Sequence, residues 1–217
     1  MFMNEWLDFL WTPYVQTNNL SGIVLEAIGG LFGILGVVFS QCTNIWTYPM
    51  CIVSTSIYIC LTFRATLYGD MIINIYYTVL GFYGWYMWTI KRGTTRLFFI
   101  TFSKRRDYLQ AGLLFVTTVF FTIVVYYISG KLRQTYAWID IFTTGICFAG
   151  MYQMVMKKVE SWLFWLVGNI ISIPLYFYKG LVLTSIQFII FTGLSIVGYR
   201  MWKKKAKEDI YFMNSKL

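Results

Sequence analysis

The stretch ESWLFWLVGNIISIPLYFYK, residues 160–179, holds 18 residues between two charged ends, Glu160 and Lys179. That is long enough to cross a bilayer as a helix. Asn169 sits near its midpoint, and Trp162, Trp165 and Asn169 follow i, i+3, i+7 spacing. Two indoles and a carboxamide therefore share one helical face. An amide at mid-membrane depth must find partners in the protein or in a wet cavity, because lipid offers none. Pro174 cannot donate to the carbonyl of Ile170, which frees a second polar group one residue from Asn169. The plain alternative is an interfacial tryptophan, a lipid-facing tryptophan and a packed asparagine.

The rest of the chain has the same solvent. Of its 217 residues, 58% are hydrophobic, 21% aromatic and 12% charged. Soluble domains carry about twice that charged fraction, so this reads as an integral membrane protein with no separate soluble domain. The net charge of +9 does not point to nucleic acid, because the charges lie between apolar spans and at the C-terminus. Histidine is absent, which removes the usual general base and the commonest metal ligand. Cys42, Cys51, Cys60 and Cys147 form no C-x-x-C pair and read as small buried hydrophobes, so neither a zinc site nor a disulfide framework is expected. Residues 1–20 begin acidic where a signal peptide needs a basic region, and read as an uncleaved interfacial segment with Trp6 and Trp11 at headgroup level.

Seven spans follow, near residues 22–39, 45–63, 69–90, 109–129, 137–156, 160–179 and 181–202. Gly29, Gly33 and Gly36 give the first a small-residue face for close helix contact. Lysine and arginine set the orientation. Fourteen fall on one side: Lys91, Arg92, Arg96, Lys104, Arg105 and Arg106, then Lys157 and Lys158, then Arg200, Lys203, Lys204, Lys205, Lys207 and Lys216. Only Arg64, Lys131, Arg133 and Lys179 fall on the other. The C-terminus, with a tail at 204–217, is thus expected in the cytoplasm and the N-terminus outside.

The chain also repeats itself. Residues 67–88 align without gaps on 181–202, with identities that include Ile75/Ile189, Thr78/Thr192, Gly84/Gly198 and Trp88/Trp202. Trp46 offers a nearby match to Trp162, two positions out of that register. Repeat 1 covers about 22–90, repeat 2 about 137–202, and the fourth span, 109–129, connects them. Four spans separate equivalent helices, so the two repeats run parallel through the membrane. Parallel three-helix repeats in a 3+1+3 order around a midplane site form a transporter architecture.

Facing halves place a site at mid-depth between them. Beside Trp162, Trp165 and Asn169, the third span offers Asn74 and Tyr77, the fifth Thr144 and the seventh Gln187. Amides, hydroxyls and indoles suit a flat, polar, uncharged or cationic ligand. Asp70 and Asp140, together with Glu26, Gln41 and Asn44, lie toward helix ends and read first as caps. No G-x-x-x-x-G-K-S/T loop is present, no serine has a histidine to activate it, and no lysine sits in the last span for retinal. A receptor or scaffold fits the composition but leaves a duplicated half with amides at mid-depth unexplained.

Trp162-x-x-Trp165-x-x-x-Asn169, with residues 139–188 and 68–88 around it, resembles the W-x-x-W-x-x-x-N signature of the PnuC vitamin transporters, bacterial nicotinamide riboside uptake proteins. The resemblance spans about residues 25–203. It implies a homotrimer of SWEET-like seven-helix protomers in the bacterial cytoplasmic (inner) membrane. It further implies facilitated diffusion of nicotinamide riboside without ion or ATP coupling and without a cofactor. A cytoplasmic kinase would then trap the substrate. In that family the three signature residues contact substrate. Relatives of the same fold carry thiamine or riboflavin, and the thiamine branch places a glutamate ahead of paired tryptophans. Glu160 lies two residues before Trp162.

Overall fold

The computed structural model describes residues 20–64, 68–92, 95–96, 99–178 and 182–214. Among them are seven helices: α1 (Leu20–Gln41), α2 (Thr47–Arg64), α3 (Tyr68–Thr89), α4 (Arg105–Ile128), α5 (Ala137–Val155), α6 (Ser161–Tyr178) and α7 (Val182–Asn214). Each covers one of the seven apolar segments. The N-terminal segment with Trp6 and Trp11 lies outside the described residues. α1, α4, α6 and α7 are long and apolar enough to cross a membrane. α2, α3 and α5 fall short of that measure because they carry polar side chains such as Ser54, Asn74, Asp140 and Thr144, which turn toward an internal cavity. Large apolar side chains point outward instead: Leu113 is 67% and Phe120 is 69% exposed. Such a surface has lipid as its solvent, and the protein is a multi-pass membrane protein.

Two features of the chain differ from expectation. A two-residue hairpin, β1 (Lys91–Arg92) against β2 (Thr95–Arg96), interrupts the basic linker after α3. α7 also runs on to Asn214 rather than stopping near Trp202. The extension is helical because KKKAKE consists of good helix formers, and because Ala206 is fully buried beneath Trp202.

The ends of α1 and α5 are built alike. Thr43 N–H donates to Ser40 O and Asn44 N–H to Phe39 O, both at 2.9 Å; Lys157 N–H donates to Met154 O and Lys158 N–H to Gln153 O, both at 3.0 Å. Thr43 (φ 55°) and Lys157 (φ 52°) supply the left-handed residue that this Schellman-type ending needs. Tyr48 then rests on Gly84 and meets Trp88 edge-on at 5.0 Å, while Trp162 rests on Gly198 and meets Trp202 edge-on at 5.5 Å. Trp46, by contrast, is 57% exposed and makes no such contact among the described residues. The mate of Trp162 is therefore Tyr48, in the same register as Trp88/Trp202, which corrects the match drawn from the two tryptophans.

α1 packs against α7 and α3 against α5, so the first helix of each half meets the third helix of the other. Two indoles tie these crossings: Trp88 Nε1 donates to Val155 O and Trp202 Nε1 to Ser40 O, each at 3.0 Å. Tyr48, Trp88, Ile100, Met154, Val159, Trp162, Trp202 and Ala206 form one buried cluster, an aromatic plug at the C-terminal ends of α1, α3 and α5. A strap seals its outer side. Thr101 pairs with the α5–α6 turn, Lys158 bridges Asp107 at 3.0 Å, and Glu160 Oε2 accepts the Ser103 N–H at 2.7 Å.

Candidate functional site

A cavity of about 360 Å³ lies behind the plug, lined by α1, α2, α3, α5, α6 and α7. α4 contributes nothing to the lining, since it packs on the outside against α5. All seven residues singled out from the sequence line this one cavity: Trp162, Trp165, Asn169, Asn74, Tyr77, Thr144 and Gln187. They arrive there from four helices, α3, α5, α6 and α7.

Their settings differ. Trp162 is 1% exposed and belongs to the plug, so it forms the cavity floor. Trp165 stands further up α6 and meets the Tyr77 ring at 6.0 Å, joining α6 to α3. The indole Nε1 atoms of Trp162 and Trp165 and the hydroxyl of Tyr48 are buried without a hydrogen-bond partner among the described residues. Unpaired buried donors cost about 1–3 kcal/mol each, so in a folded protein they mark places where a ligand, water or a second conformation supplies the partner. Asn169, 2% exposed, donates from Nδ2 to Ser195 Oγ at 3.2 Å. Asn74 donates from Nδ2 to the Asp70 carbonyl at 2.8 Å. Gln187 Oε1 accepts the Tyr58 hydroxyl at 2.9 Å. Thr144 donates back into α5, to Asp140 O at 2.7 Å, which leaves its methyl and its hydroxyl lone pairs at the wall.

The far end of the cavity is acidic. Glu26 on α1, Asp70 in the first turn of α3 and Asp140 in the first turn of α5 all line it, and no lysine or arginine among the described residues does. Glu26 accepts from the Thr184 hydroxyl at 2.8 Å, and Asp140 accepts from the Tyr126 hydroxyl of α4. These acids were read from sequence as helix-end caps. The structure turns all three toward the cavity, Asp70 and Asp140 from the first turns of α3 and α5 and Glu26 from the second turn of α1. Gln41 and Asn44 do serve the backbone, Gln41 donating to Leu194 O at 2.7 Å and Asn44 accepting from Trp46 N–H at 3.1 Å.

The cysteines depart from the buried setting expected of them. Cys42 and Cys60 are exposed, and Cys51 and Cys147 are half-buried on the cavity wall. Apolar surroundings here include lipid, so a small hydrophobe need not be inside. The α1 glycines act as read: a Cβ at Gly29 would meet Ile57 at 3.1 Å, and one at Gly33 would meet Gln187 Nε2 at 3.0 Å. They let α2 and the α7 amide approach α1 closely.

A family model described as nicotinamide mononucleotide transporter matches residues 23–204. The chain belongs to this family. Among transporters of similar sequence, the nicotinamide riboside transporter PnuC of Escherichia coli is 24% identical over 207 residues, covering 85% of this chain and 87% of the relative. The Neisseria mucosa protein of the same name is 26% identical over 192 residues, covering 84% and 73%. The riboflavin/roseoflavin transporter RibM of Streptomyces davaonensis is 23% identical over 189 residues, covering 85% and 86%. A crystal structure of the vitamin B3 transporter PnuC superposes with a TM-score of 0.67 at 25% identity, covering 85% of this chain and 82% of that one.

As a member of the nicotinamide mononucleotide transporter family, the chain has a lining that sequence alone showed only in part. Tyr48, Cys51 and Thr55 on α2 occupy the register of Trp162, Trp165 and Asn169 on α6 and line the opposite wall. The repeat register would have found them; the competing Trp46 match hid them. Tyr58, Tyr176 and Thr184 carried no sequence signal, because tyrosine and threonine are common throughout the chain. Glu160, in contrast, does not line the cavity, its carboxylate being held by the Ser103 backbone in the strap.

Proposed function

We propose that this chain carries nicotinamide riboside into the cell by facilitated diffusion. The observation that carries the reading is the chemistry of the cavity: aromatic faces, three amides and three carboxylates, with no basic side chain among the described lining. Nicotinamide riboside is a ribosylated pyridinium cation bearing a carboxamide, and each of those parts has a counterpart here. The pyridinium stacks against Trp165 and Tyr77, gaining about 1–2 kcal/mol from cation–π attraction in a desolvated site. Asn169, Asn74, Gln187 and Thr144 bond the carboxamide and the ribose. Trp162 closes the floor beneath them. The acidic end favours the cation and disfavours a phosphorylated product. The curated relatives named for nicotinamide riboside, aligned over most of their length, support the same substrate. Glu160 sits outside the cavity, which weighs against the thiamine alternative; RibM keeps riboflavin as a substrate to be tested.

The finer parts of the reading have separate supports. The like-built ends of α1 and α5, and the crossed contacts of α1 with α7 and α3 with α5, support two parallel three-helix repeats with α4 as connector in a seven-span protein. The fourteen-to-four split of basic residues supports an extracellular N-terminus and a cytoplasmic C-terminus, in the bacterial inner membrane. With that orientation the plug is the cytoplasmic gate, and rocking of one half against the other exposes the cavity alternately to each side. A homotrimer, and a cytoplasmic kinase that traps the substrate, rest on the family resemblance. The test is uptake of labelled nicotinamide riboside into proteoliposomes without ATP or an ion gradient. Equilibration of internal and external substrate is expected; a requirement for an energy source would contradict facilitated diffusion.

A further inference from the structure

The nicotinamide riboside reading leaves open how the cavity distinguishes a carboxamide from the carboxylate of the corresponding acid. A side-chain amide has a donor end and an acceptor end, and its neighbours decide which end faces a ligand. Ser195 spends its one hydroxyl proton on the Phe191 carbonyl, at 2.8 Å, so it can only accept from Asn169. The Asp70 carbonyl can likewise only accept from Asn74. Both asparagines therefore turn their nitrogens to the protein, and their oxygens are the ends left for a ligand. Gln187 is held the other way round. The Tyr58 hydroxyl, reaching across from α2, donates to its Oε1 and leaves Nε2 as the free end beside Gly33, where a Cβ would come within 3.0 Å.

We infer that Tyr58 is the positioning residue that makes this cavity select a carboxamide over a carboxylate. This rests on the nicotinamide riboside reading above. With Tyr58 in place the cavity offers two amide oxygens, on α3 and α6, and one amide N–H₂ group, on α7. A ligand carboxamide matches that set: its N–H₂ donates to the asparagine oxygens and its oxygen accepts from Gln187. A carboxylate brings two acceptors and no donor, so one of its oxygens faces an amide oxygen, in a cavity that Glu26, Asp70 and Asp140 also line. Without the tyrosine hydroxyl, Gln187 is free to turn over, and the donor end is no longer fixed.

The experiment is calorimetric binding of three ligands to the purified full-length protein: nicotinamide riboside, nicotinic acid riboside and the unsubstituted pyridinium riboside. The wild type is expected to prefer the amide to the acid by about 10-fold or more. Tyr58→Phe should weaken nicotinamide riboside by about 10-fold, erode the preference over the acid, and leave the pyridinium riboside unchanged. In a Gln187→Ala background, Tyr58→Phe should add nothing, since its target is gone. Equal wild-type affinity for amide and acid overturns the inference while leaving the substrate reading intact. So does a Tyr58→Phe protein that keeps the wild-type preference, or one that loses all three ligands alike, which marks a purely structural role. A wild type that binds none of the three takes down the substrate reading and this inference together.

Discussion

Ser40 and Met154 touch: the Ser40 hydroxyl donates to Met154 Sδ at 3.3 Å, across a sequence separation of 114. The same separation relates Tyr48 to Trp162, Gly84 to Gly198, Trp88 to Trp202, and the left-handed Thr43 to Lys157. Two residues in equivalent positions of the two halves can meet only where the halves' local axis of symmetry passes. Met154 belongs to the plug, so these two positions meet there. Equivalent residues on the two walls are unequal, however: Trp162, Trp165 and Asn169 face Tyr48, Cys51 and Thr55. Positions matched in register thus carry unmatched side chains, which is what a ligand with different ends requires.

The plug is packed to the point where one methyl group matters. A Cβ at Gly198 would lie 2.7 Å from the Trp162 ring, whereas none of the described atoms lies within 4 Å of a Cβ at Gly112 on α4. Gly198→Ala should destabilise the protein by about 1–3 kcal/mol through overpacking. Gly112→Ala should be neutral or stabilising by about 0.5–1 kcal/mol, from helix propensity alone. Thermal unfolding in detergent measures both. Equal effects would mean that Trp162 has room to move.

Asn169→Ala should raise the dissociation constant for nicotinamide riboside by about 5- to 150-fold, equivalent to about 1–3 kcal/mol, because a buried ligand group loses its partner. Folding should survive, since Ser195 keeps its own bond to Phe191 O. Calorimetry on the folded variant gives the answer, and wild-type affinity would remove Asn169 from the site.

The two indole ties across the plug, Trp88 to Val155 O and Trp202 to Ser40 O, should both help to hold it closed. Trp88→Phe strands the Val155 carbonyl and should loosen the closed plug by about 1–3 kcal/mol; Trp202→Phe removes one of two bonds to Ser40 O, which keeps the Thr43 N–H, and should loosen it by about 0.5–1.5 kcal/mol. With Cys42, Cys60 and Cys147 replaced by serine, the cavity-lining Cys51 becomes the reporter. Its alkylation by an impermeant maleimide added on the plug side should be faster in both variants. Unchanged rates would mean that the plug is static packing and not a gate.

Glu160 belongs to the strap. Glu160→Gln should keep wild-type preference among nicotinamide riboside, thiamine and riboflavin, and cost about 1 kcal/mol of stability as the charge-assisted bond from Ser103 N–H weakens. Competition binding checks the first and thermal unfolding the second. A change of substrate preference would return Glu160 to the binding machinery.

Much of this was legible in the chain. Apolar runs bounded by charged and turn residues placed all seven helices, although only α1, α4, α6 and α7 are apolar enough to cross a membrane on that measure alone. Helical spacing put Asn74 with Tyr77, and Trp162 with Trp165 and Asn169, on faces that do line one cavity. What sequence missed is instructive. The length of α7 depended on Ala206 finding a place under Trp202, a tertiary fact. The inward turn of Glu26, Asp70 and Asp140 depended on which way helix ends face, which no local pattern encodes. The mate of Trp162 was hidden because tyrosine replaces tryptophan there, so identity pointed to the wrong neighbour. The orientation of Asn169 and Gln187 needed hydrogen-bond partners from other helices, Ser195 and Tyr58, while that of Asn74 is set within α3 by the Asp70 carbonyl.

The most direct test of the central claim is calorimetric titration of the purified protein with nicotinamide riboside, thiamine and riboflavin side by side, repeated with Trp165→Ala. Binding of nicotinamide riboside alone, lost in Trp165→Ala, is the predicted result. Binding of riboflavin or thiamine in its place would contradict the substrate assignment, and nicotinamide riboside binding undiminished in Trp165→Ala would contradict the site.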